Sequence, residues 1–182
     1  MPPTKLSLCV FCGSRSGRSA RFGAAARALG ELIARRDWRL VYGAGDVGIM
    51  GEVARAAQHA GADVFGVIPT HLMQAEAGKR DIGQLVVTET MHERKKIMFT
   101  NSDVIVVLPG GAGTLDEFFE VLTWRQIGLH ARPIYLLDID GFWQPLVALV
   151  DHVIAQGFAD PSLRSFFTTV ETVEELEATL GA

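Results

Sequence analysis

Val104-Ile105-Val106-Val107-Leu108, followed at once by Pro109-Gly110-Gly111-Ala112-Gly113-Thr114, is the stretch on which the fold turns. Five consecutive apolar residues suit a strand covered on both faces, the situation of a central strand in a parallel sheet. The glycine loop stops the strand, and Thr114 to Ile127 then reads as a helix. Strand, glycine loop, helix is one unit of an α/β fold. Working outward, the unit recurs. Leu6–Phe11 is an apolar strand ending in Cys12-Gly13-Ser14. Ser19 to Arg36 is a helix, with Phe22, Ala25, Ala26, Leu29, Leu32 and Ile33 spaced by threes and fours. Arg39–Tyr42 is a strand running into glycines, Gly48 to Ala60 a helix, and Val64–Ile68 a strand stopped by Pro69. Leu85–Thr88 is a strand and Met91–Asn101 a helix. Ile134–Leu137, Phe142–Gln156, Phe166–Val170 and Val173–Leu180 complete the alternation. Between them, Thr70 to Gly83 is a polar loop without period, long enough to suggest a functional role. Right-handed crossovers between such units give a doubly wound, Rossmann-like α/β fold, a parallel sheet flanked by helices. No linker, repeat or low-complexity segment divides the 182 residues, so a single domain spanning 1–182 is expected.

Composition excludes several classes of function. The chain is 48% hydrophobic and 21% charged, which rules out disorder. A net charge of −4 argues against a dedicated nucleic-acid binder, because a phosphate backbone calls for a basic field. No apolar run approaches the roughly 18 residues of a membrane span. The first apolar run, at Leu6–Phe11, is too short for a signal peptide. A cytoplasmic protein with no nucleic-acid or membrane partner is the expectation.

In a doubly wound sheet, ligands bind beyond the carboxyl ends of the strands, where strand order reverses. Three strand ends carry glycine loops: Cys12-Gly13-Ser14, Gly43-Ala44-Gly45-Asp46-Val47-Gly48 and Pro109 to Thr114. Glycines admit a ligand close to the backbone, and the following helix offers unpaired N–H groups and the positive end of its dipole. Together they point to a phosphate-bearing ligand, with Gly13, Ser14 and Gly45 among its contacts. Gly43-x-Gly45-x-x-Gly48 matches a dinucleotide fingerprint, but it follows the second strand. The acidic residue needed at the end of the next strand is also missing, since Asp63 lies at the strand's start. No Gly-Lys-Ser/Thr follows any glycine loop, which excludes a P-loop.

Thr114 and Glu117 have the T-x-x-E spacing of a capping box. The alternative is functional: a carboxylate beside a phosphate loop, where the helix dipole favours its ionised form. Met91-His92-Glu93-Arg94-Lys95-Lys96-Ile97-Met98 likewise reads in two ways. It is either a solvated helix face over Met91 and Met98, or a helix start that aims Arg94 at the glycine loops, where a guanidinium suits phosphate. Cys9 and Cys12 face opposite sides of a strand, which makes a redox pair or zinc half-site improbable. The five histidines lack metal spacing. Asp138-x-Asp140-Gly141 reads as a turn that ends a strand, since a calcium loop would need a later Glu.

With these segments quoted, the chain resembles the LOG family of cytokinin riboside 5′-monophosphate phosphoribohydrolases. Two motifs carry the likeness: Pro109-Gly110-Gly111-Ala112-Gly113-Thr114-Leu115-Asp116-Glu117, and Met91-His92-Glu93-Arg94-Lys95. It departs from the family at Ala44, where a third glycine is usual, and at Asp116, where Glu is common. The resemblance implies hydrolysis of the N-glycosidic bond of a nucleoside 5′-monophosphate to free base and ribose 5-phosphate, without metal or organic cofactor. It implies catalytic roles for Arg94 and Glu117, and substrate contacts at Glu76, Arg94, Lys95, Gly110, Gly111, Ala112, Gly113, Thr114, Leu115, Asp116 and Thr123. It also implies a homodimer. The lysine decarboxylase label often given to such proteins fits poorly. Pyridoxal phosphate needs a Schiff-base lysine and an acidic partner, and the only lysines are Lys5, Lys79, Lys95 and Lys96. A non-catalytic carrier of a phosphorylated ligand on the same fold is the competing class.

Overall fold

The computed structural model describes residues 5–73 and 83–181, so Glu76 and Lys79 lie outside the described residues. Within them, seven strands form one sheet: β1 (Ser7–Phe11), β2 (Arg39–Tyr42), β3 (Asp63–Pro69), β4 (Gln84–Thr88), β5 (Val104–Val107), β6 (Ile134–Leu137) and β7 (Thr168–Val170). The helices are α1 (Ala20–Arg35), α2 (Gly48–His59), α3 (Met91–Thr100), α4 (Ala112–Gln126), α5 (Gln144–Ala155) and α6 (Val173–Leu180). Strand order is β4-β3-β2-β1-β5-β6-β7, and every neighbouring pair is parallel. The order reverses between β1 and β5, which pair with Leu8 opposite Val104 and Phe11 opposite Val107.

Alternation along the strands divides the core in two. Leu8, Val10, Leu40, Tyr42, Val104 and Val106 face α1, α2 and α6. Cys9, Phe11, Val41, Ile105 and Val107 face α3, α4 and α5, where Met98, Phe118, Val121 and Val150 cover them. The central strands are buried throughout, as the apolar runs require. Cys9 and Cys12 fall on opposite faces and are not joined by a disulfide. No helix among the described residues is long and apolar enough to cross a membrane.

Three boundaries differ from the sequence reading by two residues, each for a local reason. The last strand starts at Thr168, because Pro161–Phe166 form a 3₁₀ turn capped by Asp160, whose carboxylate accepts from the Ser162 N–H at 2.8 Å. Helix α5 starts at Gln144, two residues late. Asp138 Oδ1 accepts from the Trp143 N–H at 2.6 Å, and Asp140 and Gly141 hold φ of 56° and 72°. Asp138–Gly141 is thus the strand-ending turn expected, with the buried Asp138 carboxylate also accepting from Gln144 Nε2.

The third difference concerns the capping box. Helix α4 begins at Ala112, with Gly111 as its N-cap and no side-chain cap, so Thr114 is already in the first turn and Glu117 in the second. The expected Thr114–Glu117 box does not form. The same T-x-x-E spacing closes one helix earlier, at Thr90 and Glu93. Thr90 Oγ1 accepts from the Glu93 N–H at 3.2 Å, and Glu93 Oε2 accepts from the Thr90 N–H at 3.1 Å. Thr90→Ala should therefore lower stability by about 1 kcal/mol. In a chain of this size that is a fall in Tm of about 2–4 °C, measurable by calorimetry.

Candidate active site at the carboxyl ends of β1 and β5

The crevice where strand order reverses is where the glycine loops meet. The Gly13 N–H donates to the Pro109 carbonyl at 3.1 Å, and the Met50 N–H donates to the Gly13 carbonyl at 3.1 Å. These bonds join the loops after β1 and β5 to the start of α2. A Cβ on Gly110 would overlap Thr114 Oγ1 and lie 2.8 Å from Gly13 N, so only glycine permits this closeness. Over the junction opens a cavity of about 470 Å³. Its lining combines Gly13, Ser14 and the Gly110–Thr114 loop with the apolar side chains of Phe22, Ile49, Met50, Leu72, Met91 and Phe142. The volume suits a small-molecule ligand, and the lining offers both polar backbone and apolar side chains.

The N-terminus of α4 opens into this cavity. Elsewhere, Ser19, Thr90 and Thr172 side chains cap α1, α3 and α6. At α4 the cap is glycine and no side-chain oxygen takes the first N–H groups. Those of Ala112, Gly113 and Thr114 are left for an anion, where the dipole also favours one.

Arg94 lines the same cavity from α3. It is 3% exposed, which overturns the solvated-face reading of its segment. Its Nε donates to the Val67 carbonyl at 3.1 Å and its Nη2 to the Gly43 carbonyl at 2.8 Å. Two carbonyls, one within β3 and one just past β2, therefore aim the guanidinium. A Cβ on Gly43 would overlap it, so the first glycine of the apparent dinucleotide fingerprint makes room for Arg94. Ala44 beside it holds φ of 57°, the left-handed conformation that the usual glycine adopts without cost.

Glu117 also lines the cavity and is buried. In the second turn of α4 it lies past the reach of the helix's positive end, which acts on the first turn. Beneath it, burial first and the Glu117 charge second push the Cys9 thiol well above its ordinary pKa. Cys9 is therefore an inert filler of the core, not a nucleophile.

Several residues expected as contacts lie outside the cavity lining: Gly45, Lys95, Leu115, Asp116 and Thr123. The Gly45 N–H donates to Met50 Sδ at 3.2 Å. Leu115 packs on the core, and Thr123 is exposed on α4. Lys95 and Asp116 bond to one another at 2.9 Å. Glu76 falls outside the described residues. The apolar wall was missed by the sequence reading, because apolar residues at helix starts look like core. Among the described residues no group of His, Cys, Asp and Glu could hold a metal ion. None of the described lysines (Lys5, Lys95, Lys96) lines the cavity, which leaves a Schiff base there without a candidate among the described residues.

Comparison with known proteins identifies the family. The family model described as "Possible lysine decarboxylase" matches residues 50–180. A probable cytokinin riboside 5′-monophosphate phosphoribohydrolase of Oryza sativa subsp. japonica (LOGL9) is 46% identical over 93% of this chain and 74% of its own. The Arabidopsis thaliana cytokinin riboside 5′-monophosphate phosphoribohydrolase LOG7 is 41% identical over 93% of this chain and 78% of its own. Among solved structures, the molybdenum cofactor binding protein of Rippkaea orientalis superposes with a TM-score of 0.75, covering 98% and 97% of the two chains at 22% identity. That likeness shows a shared fold. Motifs, cavity and relatives converge: the chain belongs to the LOG family of phosphoribohydrolases.

Proposed function

We propose that this chain hydrolyses the N-glycosidic bond of adenosine 5′-monophosphates, with or without an N6 substituent, releasing the free base, cytokinin or adenine, and ribose 5-phosphate. The observation that carries the reading is that Arg94, Glu117 and the uncapped start of α4 line one cavity, although they come from separate segments of the chain. The 5′-phosphate sits on the N–H groups of Ala112, Gly113 and Thr114, and the base lies against the apolar wall. As the C1′–N bond breaks, its electron pair leaves with the base and positive charge builds on the ribose. Glu117 faces that charge, orients the attacking water and takes its proton. Arg94, fixed by its two carbonyls, orients the nucleotide by its phosphate or its leaving base.

A homodimer belongs to the same reading. Phe119 on α4 and Ile127 just past its end, with exposed Thr123 between them, are 37% and 63% exposed and supply apolar surface for it. Sedimentation equilibrium checks the assembly.

Incubation with AMP and with N6-isopentenyl-AMP, each followed by chromatography of base and ribose 5-phosphate, tests the activity. Release from either nucleotide is the expected result, and the preferred one defines the substrate. Binding of both nucleotides with release from neither would establish a carrier instead.

A further inference from the structure

The adjacent residues Arg94 and Lys95 do different things. Successive helical residues point about 100° apart, so the turn that aims Arg94 at the cavity sends Lys95 sideways. The Lys95 side chain is 7% exposed, and its Nζ donates to Asp116 Oδ2 at 2.9 Å and to Glu120 Oε2. Asp116 and Glu120 stand one turn apart on α4, and Asp116 immediately precedes Glu117. One turn further along each helix, Phe99 of α3 meets Trp124 of α4 edge-on, with ring centroids 5.0 Å apart. Lys95 and Phe99 on α3 thus face Asp116, Glu120 and Trp124 on α4, all at i, i+4 spacing. One end of this seam is ionic and the other aromatic.

We infer that Lys95 is a positioning residue: its bonds to Asp116 and Glu120 clasp α3 to α4 and so set Arg94 against Glu117 across the cavity. The inference rests on the hydrolase reading above for its catalytic consequence, but the clasp itself is a property of the fold. Two carboxylates one turn apart repel, and the ammonium between them turns that repulsion into a tie. Burial alone would lower the Lys95 pKa, yet hydrogen bonds to Glu120 and Asp116 outweigh it and hold the pKa above its ordinary value. The ammonium therefore stays charged throughout the neutral range. The shorter carboxylate that this chain carries at position 116 still reaches it. Two of the three ammonium donors are taken within the protein, and Lys95 is absent from the cavity lining, which separates it from Arg94 as a direct ligand of the nucleotide.

The test compares Lys95→Met, Glu120→Gln and the charge swap Lys95→Glu with Glu120→Lys in the full chain. Four quantities are read: kcat and KM for N6-isopentenyl-AMP, the Kd for ribose 5-phosphate, and the NMR signal of the Arg94 Nε–H, assigned by its loss in Arg94→Lys. Misplacement of catalytic groups by an ångström costs on the order of 100-fold, so Lys95→Met and Glu120→Gln should each lower kcat by about 10–100-fold. The Kd for ribose 5-phosphate should stay unchanged, the Arg94 signal should shift in both variants, and the swap should recover activity and signal together. The inference is overturned if Lys95→Met weakens ribose 5-phosphate binding by about tenfold, as loss of a charged phosphate contact would, while Glu120→Gln leaves binding and signal alone. Should Lys95→Met fail to fold, Glu120→Gln at its partly exposed position carries the same comparison. If the wild-type protein releases no base, the hydrolase reading fails by itself. The Arg94 signal still decides the clasp: moved by both substitutions it stands, unmoved by both it falls.

Discussion

Glu117→Gln is expected to abolish measurable release of base, with kcat lowered by about 10²–10⁴-fold, the range associated with loss of a general base. The substitution keeps the shape of the side chain and removes its charge and its ability to take a proton. Glu117 has no part in starting α4, whose cap is Gly111, so Gln at this position leaves the helix start intact. Affinity for ribose 5-phosphate should survive, because the proposed scheme places the phosphate on the backbone N–H groups of residues 112–114. Steady-state kinetics with a thermal melt of both proteins make the comparison. Hydrolysis at the wild-type rate by a folded Glu117→Gln protein would falsify the catalytic assignment and leave Glu117 a buried structural carboxylate.

Gly43→Ala should be nearly as damaging to activity, although position 43 touches no substrate in this scheme. Gly43 is not among the glycines with positive φ, so its backbone accommodates alanine. The added methyl would instead overlap the Arg94 guanidinium and approach Met50 Sδ to 3.2 Å. The guanidinium is the mobile end of a long side chain and yields first. Its bond to the Gly43 carbonyl is then lost, and with it the orientation that the site depends on. A loss on the order of 100-fold in kcat/KM is expected, with a melting temperature close to wild type. A wild-type rate would mean that Arg94 works from a second position. A large drop in Tm would mean that Met50 and the β2 end resist more than the arginine does.

Much of the frame was legible in the sequence, and particular residues show why. Val104–Leu108 announces a central strand because five apolar residues in a row can only be covered on both sides. The 3.6-residue period of Phe22 to Ile33 announces a helix with one buried face. The two motifs point to Arg94 and Glu117 as residues worth following. What the sequence does not encode locally is which strand lies beside which. Nothing near Leu8 says that its partner is Val104. Nor does T-x-x-E spacing say where a helix begins. The pattern stands at three helix starts, Thr90, Thr114 and Thr172, and the chain enters the helix at the threonine at the first and the last but not at Thr114. At the second, Gly111 serves as N-cap and carries the helix in early. Lys95 was hidden by its neighbour. Written beside Arg94 it looks like a second cation for the same phosphate, and only the rotation of the helix sends it to α4. The apolar wall at Phe22, Met50, Met91 and Phe142 carries no written sign at all, since the same residue types fill every core.

The pairing of β1 with β5 also governs when the protein becomes an enzyme during synthesis. These strands lie side by side at the middle of the sheet, yet Leu8 and Val104 are more than half the chain apart. On the ribosome, β1 to β4 emerge first and can join into a half-sheet, with the apolar β1 as its open edge. Such an edge is a template for pairing with the wrong chain until its own partner arrives. Docking of β5 closes it, and the same event brings Pro109 to Gly13 and creates the crevice. The vulnerable edge of the nascent chain and the future binding pocket are therefore one seam, and sealing the first makes the second.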